Sequence, residues 1–402
     1  MMGLILPSML ELNDSLNGSK YVSQSDISTF SSPHFNDYTI IESNSESISE
    51  KWEEYVIRNT NSNIYNHPLW FKALEHEFNM KGFILLCLDK QDNIKGVLPL
   101  LPTIGLPLRL NDLVTTRRYS SLPRSPLCGF LADDQKAKRM LLNAAIEKVN
   151  KRPKTFLQLK SYSHDIGSEC EAIKQFLWRS SYILELPDSP ENIRFGDKKN
   201  NHKVKCSVNK AKSLGIEVRE ANSEDDLKKW YKLYLETMRD HVVADRPYRL
   251  FNFLLKNFRQ KGLMTVLLAE RNTNGKKQLL SGSLFFHFNK TFFYSFNGRS
   301  QTGLALHAND LIQWEAIHLA VKLGYKEYDM GEVTCNNSGL IQFKLKWGCC
   351  ARPIYHYYYP FNEKINLTNC GISVNSQFKK TIWRKIPLPV TKYWGILTNK
   401  FL

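Results

Sequence analysis

The sequence lacks the signatures of several common protein classes. No apolar run approaches the roughly 20 residues that cross a bilayer as a helix, and no basic region precedes the short apolar run near the N-terminus, as a secretory signal would require. The eight cysteines include no CxxC pair, and HExxH, GxSxG and P-loop motifs are absent. These absences argue against zinc sites, disulfide frameworks, α/β-hydrolases and P-loop proteins. We expect a cytoplasmic chain without a metal.

Acidic residues are scarce relative to basic ones. The 402 residues include 55 Lys and Arg against 39 Asp and Glu, which gives a formal net charge of +16. This balance favours polyanionic partners, whether nucleic acid, an acidic membrane surface or phosphorylated substrates. A hydrophobic fraction of 42% is sufficient for the cores of two or three domains in a chain of this length.

The most informative stretch of the sequence runs from residue 291 to residue 348. The pattern predicts a strand over Thr291–Phe296 that ends at Asn297-Gly298, then a loop, a long helix that ends at a glycine, and a second strand over Tyr325–Met330. Asp329 and Glu332 follow at the carboxyl end of that strand, where open α/β sheets place their ligands. Both carboxylates are therefore candidate catalytic residues.

A short helix predicted over Gly339–Gly348 contains an unusual lysine. On a helical wheel Leu340, Phe343 and Trp347 form one apolar stripe, and Lys344 lies inside the apolar arc. Lys346 points to the opposite side of the wheel. Because an unpaired buried ammonium is costly, Lys344 needs an anionic partner, a bound ligand or a route for its own stem to reach water.

The order of predicted elements indicates a duplicated, mixed α/β architecture. Two helices, two strands, a loop, a helix and a strand occur in the first half, and a similar order recurs in the second. Within the first half we predict a helix over Ser168–Arg179 before a strand over Tyr182–Leu186. The predicted parts are a mobile head (1–36), a first domain (37–189), a second domain (190–360) and a basic aromatic tail (361–402).

Two basic stretches are candidate anion-binding segments. The helix predicted within DKKNNHKVKCSVNKAKSLG is crowded with lysines and is either a phosphate clamp or a solvated helix face. The loop RRYSSLPRSPLCGF is either an anion-binding rim or a solvated loop. The candidate substrate-binding residues are Lys203, Lys205 and Lys210 in the first stretch and Arg117 and Arg124 in the second, where Arg118 also belongs to the basic loop.

The C-terminal tail mixes aromatic and basic side chains around Trp383 and Trp394. This mixture suits peripheral contact with the inner face of a membrane, but the two tryptophans could instead pack on the second domain. Pro387 and Pro389 divide the tail into pieces too short to span a bilayer.

The element order of the second half resembles the GNAT N-acyltransferase fold. In that fold the helix after the fourth strand begins with a Q/R-x-x-G-x-G/A loop that receives the pyrophosphate of an acyl-CoA. Gly303 and Ala305 fit this loop, and Ser300 occupies its leading position between Arg299 and Gln301. The resemblance implies that these residues bind the cofactor through backbone amides and the helix dipole.

Three motifs resemble the signature of the FemAB-like transferases, which carry two tandem GNAT-like domains. They are NDLxxWxAI at Asn309–Ile317, GYxxYDxG at Gly324–Gly331 and GLxxFKxxWG at Gly339–Gly348. The segment at Ser121–Gly129 and the tail motif WRKIPLPV also resemble FemAB-related proteins of exopolysaccharide and exosortase systems. The resemblance implies two GNAT-like domains, each a mixed twisted sheet flanked by helices.

The resemblance also implies a reaction. Family members transfer an acyl or aminoacyl group to an amine of a cell-envelope precursor, and their Phe-Lys pair at the reaction centre corresponds to Phe343 and Lys344. Lys344 would stabilise the developing oxyanion, and Asp329 or Glu332 would orient or deprotonate the amine. The donor is an acyl-CoA or an aminoacyl-tRNA, and the acceptor a phosphorylated or lipid-linked precursor. The alternative is a non-catalytic protein that binds nucleic acid or a membrane surface through its charge.

Overall fold

A computed structural model describes residues 29–30, 37–104, 117–162, 166, 172–361 and 383–392. The strands are β1 (Thr29–Phe30), β2 (Tyr38–Ser43), β3 (Phe83–Asp89), β4 (Ile94–Ile104), β5 (Arg117–Ser120), β6 (Leu131–Ala132), β7 (Thr155–Ser161), β8 (Lys174–Glu185), β9 (Ile216–Glu220), β10 (Met264–Thr273), β11 (Lys276–Phe288), β12 (Thr291–Arg299), β13 (Glu327–Val333) and β14 (Cys350–Tyr359). The helices are α1 (Ser49–Arg58), α2 (Pro68–Phe78), α3 (Gln135–Asn150), α4 (Lys198–Ser213), α5 (Glu224–His241), α6 (Tyr248–Asn257), α7 (Gln301–Ala305), α8 (Ala308–Lys322) and α9 (Ser338–Lys346).

The described strands form one 14-stranded mixed sheet whose two halves have the same order. One half runs β2-β3-β4-β5-β7-β14 and the other β9-β10-β11-β12-β13-β8, and they meet where β14 pairs with β8. In each half one pair is parallel, β5 with β7 and β12 with β13. The predicted mixed α/β fold is confirmed. The domain boundary at residues 189 and 190 stays a prediction, because β8 precedes it yet pairs with β13 of the second half.

One hydrophobic core joins the two halves. Trp70 of α2 contacts Phe286 of β11 with ring centroids 5.2 Å apart, and Tyr65 contacts Phe293 of β12 at 5.5 Å. These rings are buried among side chains of both halves. The edge-to-face geometry adds to the free energy of their burial. The halves therefore pack as one body, which fixes the relative position of side chains between them.

Arg124, predicted as part of an anion-binding rim, lies inside this junction instead. Its guanidinium donates to the carbonyl of Ala244 at 2.8 Å and lies 3.7 Å from the fully buried carboxylate of Glu77. Glu77 also accepts two hydrogen bonds, of 2.8 and 2.5 Å, from Arg246. A buried cation requires such partners. Arg124 therefore ties the halves together, whereas Arg117 is exposed at the start of β5.

Two predicted boundaries were wrong. Ser168–Arg179 was predicted as a helix, but β8 already begins at Lys174, because its backbone pairs with β13 on one side and β14 on the other. Strand β12 continues through Asn297-Gly298 to Arg299. Gly298 serves a close approach rather than a turn, since a Cβ there would lie 2.6 Å from the backbone nitrogen of Tyr234. In both cases strand pairing, of β8 with distant strands and of β12 with β11, overrides the local pattern.

The predicted head and tail lie mostly outside the described residues. Within the head, Thr29–Phe30 pairs with β2 as an edge strand. Within the tail, residues 383–392 pack on the second half, where Arg384 Nε donates to the carbonyl of Asp240 at 3.0 Å and Leu388 joins the shared core. In the described ranges no helix has the length and apolar character needed to cross a bilayer. Trp394 lies outside those ranges, and membrane contact stays a prediction.

Candidate active site

The candidate site lies where β12 and β13 part. Among the described residues, the two parallel strands pair at three positions, from Thr291 opposite Glu327 to Phe293 opposite Asp329. Each strand then continues without pairing to the other. Gly331, with φ of +84°, turns the backbone of β13 at this point, and a Cβ there would lie 3.5 Å from the Tyr294 carbonyl. The glycine of the GYxxYDxG motif therefore shapes the opening.

Lys344 lies at this opening with its amine held by the backbone. Asn337 caps α9 by accepting from the Leu340 amide at 3.2 Å, and the helix directs Lys344 inward, where the side chain is only 3% exposed. Lys344 Nζ donates to the Gly331 carbonyl at 2.7 Å. The snorkelling alternative is therefore wrong. Burial lowers the pKa of Lys344 to about 8.

Asp329 positions the same backbone from the other side. Its Oδ1 accepts from Ser181 Oγ at 2.6 Å and from the Gly331 amide at 2.7 Å. Its Oδ2 accepts from the Tyr162 hydroxyl at 2.9 Å. Burial raises the pKa of Asp329, although these hydrogen bonds and the Lys344 charge oppose the shift. Asp329 and Lys344 are thus joined through one peptide group, at Gly331.

Sequence reasoning missed the partners of Asp329. Tyr162 and Ser181 belong to the first half of the chain, 167 and 148 residues away from Asp329. Neither lies in a motif, and no periodicity distinguishes it. Only the exchange of β8 into the second half brings Ser181 opposite β13.

Glu332 and Phe343, the other predicted catalytic residues, lie at the margin of the opening. Glu332 accepts from Arg179 at 2.5 Å and is partly exposed. Phe343 is partly buried on α9. The wheel placed Lys346 on the side opposite to the apolar stripe, but Lys346 does not face open solvent. Its amine pairs with Asp310 at 2.6 Å and lies 5.1 Å from the Phe343 ring centroid. An ion pair at the start of α8 accounts for this placement.

A cavity of about 140 Å³ between the halves leads to Asp329. Phe293 and Thr291 of the second half line it, together with Tyr162 and Leu127 of the first. Its polar groups come from both halves, since residues 61–63 and Arg352 line it from the first half and Lys290 and Glu327 from the second. A small polar group of a ligand, such as a primary amine, fits a cavity of this size and lining.

The predicted cofactor loop is folded tightly against β11. Ser300 caps the short helix α7 and accepts from the Gly303 amide at 2.9 Å. A Cβ at Gly303 would lie 2.2 Å from the Leu280 carbonyl, so close packing requires this glycine. Gln301 Nε2 donates to Asp240 at 2.8 Å, and Ala305 is exposed. Cofactor binding by Arg299, Gln301, Gly303 and Ala305 stays a prediction. In the described ranges no group of His, Cys, Asp and Glu has the arrangement of a metal site.

The predicted lysine clamp lies on the outer face of α4. Lys203, Lys205 and Lys210 are exposed, whereas Val204 and Val208 on the opposite face are buried in the core of the second half. The amphipathic pattern of the helix was therefore predicted correctly. The three lysines are exposed and therefore available to a polyanion.

Replacing these three lysines together by glutamine should weaken the binding of a phosphorylated precursor and flatten its salt dependence, because exposed charges act through screened attraction. The melting temperature should change little, since the lysines contribute nothing to the core. Titrations at several salt concentrations measure the effect. The matched control replaces Lys228, Lys229 and Lys232, which are exposed on α5. If the two triple variants bind the phosphorylated precursor with equal affinity, this face of α4 is a solvated surface and not a phosphate clamp.

Comparison with known proteins agrees with the motifs. A family model described as an acetyltransferase (GNAT) domain matches residues 198–339. A UDP-N-acetylmuramoylpentapeptide-lysine N(6)-alanyltransferase of Weissella viridescens is 27% identical over 158 residues, which cover 39% of this chain and 44% of that protein. The resemblance to the FemAB-like family is confirmed. The aligned part spans less than half the length of this curated relative.

Solved structures extend the similarity over most of the chain. The crystal structure of FemX superposes with a TM-score of 0.59 at 15% identity, covering 80% of this chain and 98% of FemX. The C-terminal domain of a putative lysylphosphatidylglycerol synthetase from Agrobacterium fabrum gives 0.54 at 10% identity, covering 80% and 95%. At these identities the similarity shows a common fold. The similarity in fold to FemX thus also covers much of the first half of the chain, which the family model does not match.

Proposed function

We propose that this FemAB-like chain is an N-acyltransferase that transfers an acyl or aminoacyl group to an amine of a cell-envelope or exopolysaccharide precursor. The observation that carries the proposal is the buried amine of Lys344 at the opening between β12 and β13. The GNAT domain match and the alanyltransferase relative support the acyltransferase class.

In the proposed reaction the acceptor amine enters the cavity beside Asp329 and attacks the carbonyl carbon of the donor. A C–N bond forms, and the C–S bond of a thioester or the C–O bond of an ester breaks. Lys344 donates one N–H to Gly331, so its remaining N–H groups stabilise the oxyanion. Asp329 takes the proton of the amine and passes it to the departing thiolate or alkoxide, because Asp329 lines the cavity and burial raises its pKa. Glu332, held by Arg179, orients the acceptor.

The curated relative supports a class of acceptor. The alanyltransferase named above acts on the lysine N6 of a UDP-N-acetylmuramoyl pentapeptide, which is a phosphorylated precursor that carries a primary amine. We propose an acceptor of this class, soluble or lipid-linked, and either an acyl-CoA or an aminoacyl-tRNA as donor. A net charge of +16 favours each of these anionic substrates.

The pH dependence of kcat/KM should be bell-shaped. Lys344 must be charged to stabilise the oxyanion, so transfer should fall as the pH rises through about 8, the lowered pKa of this residue. Asp329 must be ionised to accept the proton, so transfer should also fall as the pH drops through its raised pKa. The residual kcat/KM of Asp329→Asn should no longer fall on the acid side of the pH profile. A profile that is flat through pH 8 would contradict the role of Lys344.

The experiment that tests the proposal incubates the purified protein with acetyl-CoA or alanyl-tRNA and a lysine-containing UDP-N-acetylmuramoyl pentapeptide. Mass spectrometry should detect the acylated peptide with one donor. The alternative, a binding protein without chemistry, predicts no product with either donor and tighter binding of random oligonucleotides than of the peptide at several salt concentrations. That outcome would overturn the proposal.

A further inference from the structure

The first half of the sheet contains a second cluster of buried polar groups. By strand register, six side chains of β5, β7 and β14 point to the same face: Ser120 lies opposite Gln158, Gln158 opposite Tyr358, and Lys160 opposite His356. The opposite face carries apolar side chains of the first-half core. We call the six side chains the polar strip. They are Arg118, Ser120, Gln158, Lys160, His356 and Tyr358.

The polar strip has an excess of positive charge. Arg118 and Lys160 are at least nine-tenths buried, and Arg179 lies close enough to affect Lys160 and His356. Glu332 is the one carboxylate acting on Lys160 in the described part of the chain. Burial lowers the pKa of Lys160 to about 8 and of Arg118 to about 10. Three cations thus share one carboxylate, which leaves about two uncompensated charges.

The unsatisfied groups of the strip are hydrogen-bond donors. Gln158 Nε2 donates to the Tyr358 hydroxyl at 2.9 Å, and that hydroxyl lies 2.9 Å from His356 Nδ1. When Nδ1 accepts from the Tyr358 hydroxyl, His356 carries its own proton on Nε2. Within the described part of the chain, this buried nitrogen and Nε of Arg179 have no hydrogen-bond partner. Trp178 stacks on His356 at 4.3 Å and fixes the ring.

We propose that the polar strip binds a phosphate group of a soluble ligand, with Arg118, Arg179 and His356 as donors and Lys160 as a further charge. A phosphate supplies about two negative charges and several acceptor oxygens in different directions, which matches both the charge excess and the unpartnered donors. The side chains of the polar strip are buried on one face of the sheet, so a bilayer surface has no access to them. The proposal does not depend on acyl transfer.

Arg118 and Lys160 also have bonds that hold them in place without a ligand. Arg118 Nε donates to Thr103 Oγ1 at 3.0 Å, and Lys160 Nζ donates to the Ser125 carbonyl at 2.8 Å. These bonds orient the two cations but carry no negative charge. These neutral partners therefore account for the positions of Arg118 and Lys160. They do not neutralise the positive charge, which a bound anion would compensate.

Isothermal titration of the intact protein with inorganic phosphate, inorganic pyrophosphate and acetate tests the proposal. We expect saturable binding of phosphate or pyrophosphate and much weaker binding of acetate. His356→Phe, which retains the stacked ring, and Arg118→Gln should each weaken binding about tenfold, as expected for a lost hydrogen bond to a charged group. Lys232→Gln is the matched control, because Lys232 is an exposed cation on α5 that belongs to no predicted anion-binding segment, and it should retain wild-type affinity.

Several results would overturn the proposal. They are no saturable phosphate or pyrophosphate binding to the wild-type protein, acetate binding as tight as phosphate, and wild-type affinity in folded His356→Phe and Arg118→Gln variants. Melting curves with and without phosphate give a second readout: phosphate should raise the melting temperature of the wild-type protein and of Lys232→Gln. The wild-type titration alone decides the question if either buried variant does not fold.

Discussion

Lys344→Met is expected to abolish acyl transfer while the protein remains folded. Methionine keeps the unbranched stem and removes the charge and the N–H groups that the oxyanion needs. Loss of one oxyanion donor typically lowers kcat by about 10²–10³-fold, and removal of a buried cation should reach at least that range. Single-turnover acyl transfer, followed by mass spectrometry, measures the loss.

Stability separates this role from a structural one. Burial lowers the pKa of Lys344 to about 8, below its value of roughly 10.4 in the unfolded chain. The charged form therefore costs folding free energy below pH 8, so Lys344→Met should leave the melting temperature at pH 7 unchanged or higher. Lys322→Met, at an exposed lysine of α8, is the control and should be silent in both assays. Full turnover of Lys344→Met would remove Lys344 from the mechanism.

Glu77→Gln is expected to have the largest effect on stability. Glu77 is fully buried and accepts from Arg246 at 2.5 Å, with Arg124 at 3.7 Å. Glutamine preserves the size of the side chain but removes the carboxylate that the two buried guanidinium groups share. Breaking a buried ion pair in this way typically costs about 3–5 kcal/mol. Denaturant titration should show the loss as a lower midpoint, with both halves unfolding together because the ion cluster bridges them.

The control for Glu77 is an ion pair of similar length at the surface. Glu46 pairs with Lys81 at 2.6 Å, but both side chains are more than 70% exposed, so Glu46→Gln should change stability little. A small effect of Glu77→Gln, comparable to that of Glu46→Gln, would mean that water reaches the Arg124 and Arg246 guanidinium groups. The halves would then not depend on this cluster for their junction.

Local patterns predicted much of the second half correctly. Ser223 stands three residues before Asp226, the spacing of a helix cap, and it caps α5 by accepting from the Asp226 amide. Gly324 adopts a positive φ after α8. The wheel placed Lys344 among apolar neighbours, and it is buried. Each of these features depends on residues within one or two turns of a helix, so the sequence alone contains the necessary information.

Features that depend on distant residues could not be predicted. The exchange of β8 and β14 between the halves, and with it the contact of Ser181 with Asp329, requires pairing across 148 residues. Arg124 was assigned to an exposed rim because nothing near it in the sequence shows that Glu77 and Arg246 enclose it. Gly303 matched a phosphate-binding loop, but its packing on Leu280 is visible only once β11 is in place.

The central claim is that this FemAB-like chain acylates an envelope amine and that Lys344 is required. The most direct test compares, by mass spectrometry, the envelope precursors of cells that carry the intact gene with those of cells that carry Lys344→Met, at equal protein levels. The proposed function predicts a precursor whose amine bears an additional acyl or aminoacyl group in the first cells and lacks it in the second. Identical precursor pools in the two would contradict the claim.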